Sequence, residues 1–171
     1  MPTIGVAIPV PEPYGSMLRE KRGNFGDPMA DTVPSHVTLI APTDVHVTAL
    51  SGVCEALDRA SVAQPPFPMG LRGTGTFRPV SPVVFVAVSQ GISYTEMLAR
   101  RVRKALGVEE PEFPFHPHVT VAHNLDDEHL DLAFEELHDF ECEFVVDAFA
   151  LYQHEGGSGW VPRRTFVLGP R

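Results

Sequence analysis

The sequence predicts a duplicated α+β fold with antiparallel sheets, and three observations predict it. Apolar periodicity gives the order strand, helix, strand, helix, two strands, helix, strand, helix, two strands, and the hairpin-like strand pairs in each half suit antiparallel sheets better than a doubly wound parallel one. The halves echo each other, with "GVAIPV" and "HVTLIAP" followed by a helix in the first, and "VVFVAV", a helix, "HVTVAH" and a helix in the second. The tripeptide His-Val-Thr falls on a strand in each half, at His36 to Thr38 and at His118 to Thr120.

Each element has its own warrant. "TIGVAIPVP" alternates as a strand, and "PYGSMLREKRGNFG" reads as a short helix closed by glycine. The segment around Pro28 and Asp31 is a loop. "HVTLIAP" is a β-branched strand stopped by Pro42, after which Thr43 or Asp44 caps a helix over "VHVTALSGVCEALDRA" with Val47, Leu50, Cys54 and Leu57 as its buried stripe. "FPMGLRGTGTF" and "SPVVFVAVS" are strands joined by a turn rich in Gly and Pro. "SYTEMLARRVRKALG" carries Ser93 and Glu96 as a capping box, ends at Gly107, and turns Met97, Leu98, Val102 and Leu106 inward. The second histidine strand follows, then a helix from about Asp126 to His138 with Leu130, Phe134 and Leu137 on one face. "FECEFVVDAFALYQ" is one long strand that alternates buried Phe140, Cys142, Phe144 and Val146 with exposed Glu141 and Glu143; the loop "HEGGSGWVPRR" leads to a last strand "TFVLG".

Composition narrows the function classes. A chain of 171 residues can bury roughly 70% of its unfolded surface, and 43% apolar with 20% charged residues is ordinary for a globular protein in solution. No segment approaches the ~20 continuous apolar residues of a membrane span, and "MPTIGVAIPVPEP" reads as a strand and not as a signal peptide. Cys54 and Cys142 are too few for a disulfide framework, so the expected compartment is the cytoplasm; the sequence marks no oligomeric state, and a monomer is the default expectation. The net charge of −9 argues against a surface that coats long nucleic acid, while a small anionic ligand needs only local positive charge.

His-Val-Thr occurs a third time, at His46 to Thr48. In a strand, residues two apart share a face, so His36 with Thr38 and His118 with Thr120 each set an imidazole beside a hydroxyl. In a helix residues two apart diverge by ~200°, so the helical third copy does not build a site. A pseudo-twofold would bring the two strand-borne pairs together across a groove. Two facing histidines, with unperturbed pKa of ~6.5, can hold one neutral and one protonated ring near pH 7 and act as base and acid; the hydroxyls can hold phosphoryl oxygens. That constellation suits phosphoester cleavage without a metal.

"PSHVTLIAP" and "FHPHVTVAH" resemble the paired His-x-Thr motifs of the two-histidine phosphoesterase superfamily, which includes bacterial 2′-5′ RNA ligase-like proteins and cyclic phosphodiesterases. The likeness extends to "IGVAIPVP", to "GTGTFRPVSPVVFVAV" and to the ending "ALYQ", Trp160 and "FVLG". It implies that residues 1–171 form a single domain of two pseudo-symmetric lobes, with the two antiparallel sheets around a central cleft and helices outside. It further implies His36 and His118 as the catalytic pair, Thr38 and Thr120 as phosphate-binding hydroxyls, no metal or other cofactor, and chemistry on 2′,3′-cyclic phosphates or 2′-5′ bonds of RNA or nucleotides. Which histidine is base and which acid stays open, since the roles reverse between cleavage and ligation. A non-catalytic nucleotide- or RNA-binding module using the same groove is the alternative.

Other residues invite weighing. Phe77, Arg78, Trp160 and Arg163, with Arg164 and Phe166, cluster near strand ends where an Arg plus an aromatic can hold a phosphate and stack a base; Tyr152 in "ALYQ" joins them as a substrate contact. His116, His118 and His123 superficially form a metal cluster, but alternation sets His123 opposite His118 and His116 precedes Pro117 at the strand entrance. The run "RRVRK" reads as a solvated helix face, His129, His138 and His154 as exposed, and Gly70, Gly73 and Gly75 as turn residues, since "GLRGTGTF" lacks the ending and helix of a phosphate loop.

Overall fold

A computed structural model describes residues 1–171. Thr3–Pro9 (β1), His36–Asp44 (β2), Ala148–His154 (β7) and Trp160–Val167 (β8) form one antiparallel sheet in the order β2-β1-β7-β8. Phe67–Thr76 (β3), Val83–Gln90 (β4), His118–His123 (β5) and Glu141–Val146 (β6) form the other, in the order β5-β4-β3-β6. Four helices complete the fold: α1 (Tyr14–Asn24), α2 (Leu50–Val62), α3 (Ile92–Leu106) and α4 (Asp127–Glu136). The α+β class with antiparallel sheets stands, and so does the echo between halves. Each histidine strand is the edge of its sheet and pairs with the strand preceding its helix, β2 with β1 and β5 with β4.

One apolar core runs through both sheets. Val37 and Leu39 of β2 and Val119 and Val121 of β5 sit in the same buried cluster, which also takes in Leu18 of α1, Leu57 of α2, Leu98 and Val102 of α3, and Leu130 of α4. Because strand side chains alternate, burying these residues turns the intervening His and Thr away from the core on both strands.

Several elements depart from the pattern reading for local reasons. β2 continues through Pro42 to Asp44 instead of stopping there, since an edge strand has a free side that needs no N–H, and a bulge sets Ala41 and Pro42 opposite Gly5. α2 starts at Leu50; before it comes a 3₁₀ turn, Val47–Ala49, so Val47 is 61% exposed and not part of the buried stripe. The Ser93 and Glu96 capping box does not form, because α3 already begins at Ile92 after the left-handed Gly91, and Glu96 pairs with Arg100. Its buried stripe runs Thr95, Leu98, Ala99 and Val102, leaving Met97 exposed, while Gly107 caps the end in the left-handed region as expected. Arg103 of the supposed solvated run is buried, with its guanidinium over the Phe115 ring.

The long strand 140–153 is two. It leaves one sheet at Val146 and joins the other at Ala148, a switch that an unbroken alternating pattern conceals. β8 likewise begins at Trp160, five residues before the expected strand, and tolerates Pro162 because it is an edge. The three glycines lie inside β3, not in a turn. Gly73 has φ +72° where the pairing with β4 shifts register, and Gly75 stands directly across from Phe85.

Candidate active site

The first histidine is held by the chain that leads into its strand. Ser35 donates from Oγ to the Gly15 carbonyl at 2.8 Å and accepts the Val10 N–H at 3.1 Å through its own carbonyl, which fixes the turn and aims the Pro34 carbonyl at the ring. A carbonyl can only accept, so the 2.7 Å contact between it and His36 Nδ1 makes Nδ1 the protonated nitrogen and leaves Nε2 with its lone pair free. The second histidine repeats this. His118 Nδ1 donates to the His116 carbonyl, also two residues upstream, at 2.6 Å.

Burial lowers the pKa of both rings below the ordinary histidine value. For His36 the carbonyl bond opposes this effect and the charge of Arg22 adds to it; for His118 the opposing carbonyl is that of His116, and repulsion from His116 and His36 adds. That the two rings feel each other follows from β2 lying against β5. Neutral rings with a free Nε2 can take a proton, and a partner that acquires one gives it up readily.

Thr38 and Thr120 are half-buried on the same strands, and no hydrogen bond within the protein uses either hydroxyl. Elsewhere the fold spends threonine hydroxyls on its own carbonyls: Thr74 on Phe134, Thr76 on Val83, Thr95 on Gly91. The two site threonines keep donors that an anion can use.

Around His36 opens a pocket lined by Thr38, Ile40, Pro42, Val33, Tyr152 and Trp160 among others. Tyr152 is 8% exposed, and burial raises its phenol pKa. Trp160 sits close over Gly5 and is set by its own N–H, which donates to the Thr32 carbonyl at 3.1 Å. His118 has a different setting, against the adjacent rings of Phe77 (centroids 5.0 Å) and Phe85 (5.2 Å), with His116 5.9 Å away.

The structure therefore gathers His36, Thr38, Tyr152 and Trp160 at one pocket, and sets Phe77 against His118. Arg78 and Arg163 do not line that pocket. Arg78 bonds Thr76 and bridges Asp127 and Asp131 on α4, and Arg163 pairs with Glu155. The third His-Val-Thr copy does not diverge as a helix would make it. His46 caps the 3₁₀ turn and its Nδ1 lies 2.7 Å from the Thr48 hydroxyl, an exposed pair satisfied by itself. No three His, Cys, Asp or Glu side chains converge in metal-ligating geometry. Missed by sequence reasoning were Phe85, read only as strand core, and the pair Arg22 and Asp27, hidden in what looked like a helix face and a loop; the one signal was the Asp-Pro start of a turn at Asp27.

The profile described as "2'-5' RNA ligase superfamily" matches residues 9–158, spanning both histidine strands. The chain belongs to the 2'-5' RNA ligase superfamily. A phosphoesterase-like protein of Bacillus licheniformis is 34% identical over 146 residues, covering 84% of this chain and 85% of its own, and a Geobacillus kaustophilus counterpart is 31% identical over 140 residues, 80% of each. Among solved structures, TT0787 of Thermus thermophilus superposes with a TM-score of 0.69 at 22% identity over 100% of both chains, and apo E. coli LigT with 0.68 at 22% identity over 99% of both. At that identity the likeness establishes the family's fold. LigT has also been crystallised with 3'-AMP, phosphate, ATP and NADP+. No helix of this family member is long and apolar enough to cross a membrane.

Proposed function

We propose that the protein is a metal-independent phosphoesterase acting on 2′,3′-cyclic phosphate ends or 2′-5′ phosphodiester bonds of RNA or small nucleotides. His36 and His118 serve as the acid-base pair, and Thr38 and Thr120 hold the phosphoryl oxygens. One observation carries this: two half-buried imidazoles, each with Nδ1 spent on a carbonyl and Nε2 free, each on a strand beside an unspent threonine hydroxyl. In hydrolysis, one Nε2 takes a proton from the water that attacks phosphorus while the other ring, protonated, gives its proton to the 2′ or 3′ oxygen that leaves. The phosphorus–oxygen bond of the ring breaks, a monoester remains, and one proton exchange between the histidines resets the site. In ligation a 5′-hydroxyl takes the place of water: one Nε2 removes its proton as the oxygen attacks phosphorus, and the other ring protonates the ring oxygen that leaves.

The pocket beside His36 suits a nucleoside, since Trp160, Tyr152 and Pro42 offer flat apolar walls against which a base can lie. The nucleotide and phosphate complexes of LigT support the same ligand class.

The test is turnover of an RNA oligonucleotide ending in a 2′,3′-cyclic phosphate, with EDTA present. His36→Ala and His118→Ala are expected to lose about 10²- to 10⁴-fold each, and His46→Ala to match wild type. Equal loss in all three would overturn the assignment, and tight nucleotide binding with no turnover by wild type would make the groove a binding module.

A further inference from the structure

The two histidine strands are entered by segments that are held in different ways. In the first half, hydrogen bonds tie the lead-in down. Ala30, Thr32 and Val33 donate from their backbone N–H groups, Arg19 donates to the Ala30 and Asp31 carbonyls, and Ser35 bonds Gly15 and Val10. In the second half, residues 109–117 include Pro111, Pro114 and Pro117, which have no N–H to give. The only hydrogen bond made by any backbone group of this stretch is that of the His116 carbonyl, which accepts from His118 Nδ1 at 2.6 Å. The acceptor that sets the His118 tautomer therefore hangs on a strap that side-chain packing alone keeps in place.

Against that strap lies a charge without a counter-charge. Of the two buried arginines, Arg22 is paired with Asp27 at 2.7 Å; Arg103 of α3, 8% exposed, has no carboxylate partner, and its Nε has no hydrogen-bond acceptor. Burying a lone cation is costly, and breaches of that rule concentrate where function requires them. What meets the guanidinium is a ring. Arg103 Cζ stands 5.7 Å from the Phe115 centroid, inside the range of cation–π attraction, which is strongest where water is excluded. Phe115 also packs on the apolar core, and the next ring, His116, stands edge-on to Phe77 at 5.5 Å and Phe85 at 5.1 Å. At the root of the strap, the Val108 N–H donates to the Arg103 carbonyl at 3.0 Å. One residue of α3 thus grips the strap at its root through the backbone and near its end through the side chain.

We infer that Arg103 is a positioning residue: its guanidinium seats the Phe115 ring, and through Phe115 it holds the His116 carbonyl where that carbonyl keeps His118 protonated on Nδ1 with Nε2 free. The first histidine has no need of such a device, since the bonds of Ser35 already fix the Pro34 carbonyl. The effect on turnover rests on the phosphoesterase reading of the site; the effect on the tautomer does not. An anchor of this kind differs from ordinary packing in its consequences. Replacing Arg103 by an apolar residue of similar length relieves a buried unpaired cation, so the fold should keep its stability while one imidazole loses its orientation.

The experiment reads the histidine tautomers of the full chain by proton–nitrogen NMR near pH 8, where the rings are neutral, with no substrate present; signals missing from His36→Ala and His118→Ala assign the two rings. In wild type both should carry the proton on Nδ1. In Arg103→Met, His118 should become a mixture of tautomers while His36 stays as it was, and the melting temperature should match or exceed that of wild type. Turnover of the cyclic phosphate should fall about tenfold or more in kcat with KM little changed. Arg103→Lys, which keeps a cation over the ring, should retain most of both properties. Phe115→Leu removes the ring instead of the charge, should reproduce the His118 change, and serves where R103M does not fold. A His118 that stays wholly Nδ1-protonated in both R103M and F115L overturns the inference. So does an equal change at His36 and His118 accompanied by a lower melting temperature, which would mean general loosening. Because the tautomers are read without turnover, an inactive wild type would refute the phosphoesterase reading and leave this result legible.

Discussion

Gly75→Ala adds one methyl group beside the most confined ring in the site. Gly75 lies across from Phe85 in the β3–β4 pairing, and the Phe85 ring covers the bare glycine, so that an added Cβ would stand 2.5 Å and 2.6 Å from two ring carbons. Ordinary contact needs about 1 Å more, and that shift has nowhere to go. Phe85 is 5% exposed and packs at centroid distances of 4.6 Å from Phe77, 5.1 Å from His116 and 5.2 Å from His118. Overpacking of this kind costs about 1 to 3 kcal/mol, which for a chain of this length lowers the melting temperature by roughly 3 to 10 °C. Because His118 leans on the same ring, a displacement of about 1 Å should also cost up to ~10²-fold in turnover of a cyclic phosphate. The assay is thermal melting by circular dichroism together with that turnover. Phe85→Leu in the G75A background removes the clash and should recover part of the stability. A G75A protein that melts within about 1 °C of wild type, with the same turnover, refutes the argument that the glycine exists to seat the ring.

Further outcomes follow from the same geometry. Gly159 has φ +70°, and a Cβ there would stand 2.4 Å from the Thr32 carbonyl oxygen, so Gly159→Ala should destabilise by about 2 kcal/mol or more and weaken nucleotide binding through Trp160, read by a melt and by tryptophan fluorescence. Thr38→Val keeps the volume but removes an unspent donor, and should lower kcat/KM about tenfold or more with little change in melting temperature. His36 and His118 both have folded pKa values below the unfolded value of ~6.5, so their contribution to stability is present above that pH and is lost as pH falls below it; a melting temperature flat from pH 7.5 to 5 in wild type, or a fall of equal size in the His36→Ala/His118→Ala protein, would contradict this.

What the sequence disclosed depended on whether a signal was periodic. The strand copies of His-Val-Thr were legible because alternation with Val37, Leu39, Val119 and Val121 puts the apolar residues on one face and the site on the other, and both sets ended where the pattern places them. Helix starts and strand ends were less legible, since a bulge at Pro42, a left-handed Gly91 and a sheet change between Val146 and Ala148 leave the hydrophobic pattern intact. The arginines expected to contact substrate were harder still. Arg78 and Arg163 stand in the sequence beside aromatic residues as though free, yet Asp127, Asp131 and Glu155 meet them in the fold, and partners distant in sequence leave no local trace.

Why both histidines stand on edge strands has a physical answer. An interior strand is flanked on both sides by hydrogen-bonded neighbours, whose side chains crowd a site from each direction; an edge strand keeps one flank open. Open flanks are a liability, since unpaired N–H and C=O groups invite pairing with other chains. Here two edges lie against one another, β2 with Pro42 in its course and β5 anchored at His123 by a buried carboxylate from the other side. Each edge shields its partner without forming a continuous sheet, and each carries an imidazole beside an unspent hydroxyl. Duplication of a strand–helix–strand unit supplies both edges at once, so the same arrangement that removes two exposed edges from the surface also brings the two histidine strands together.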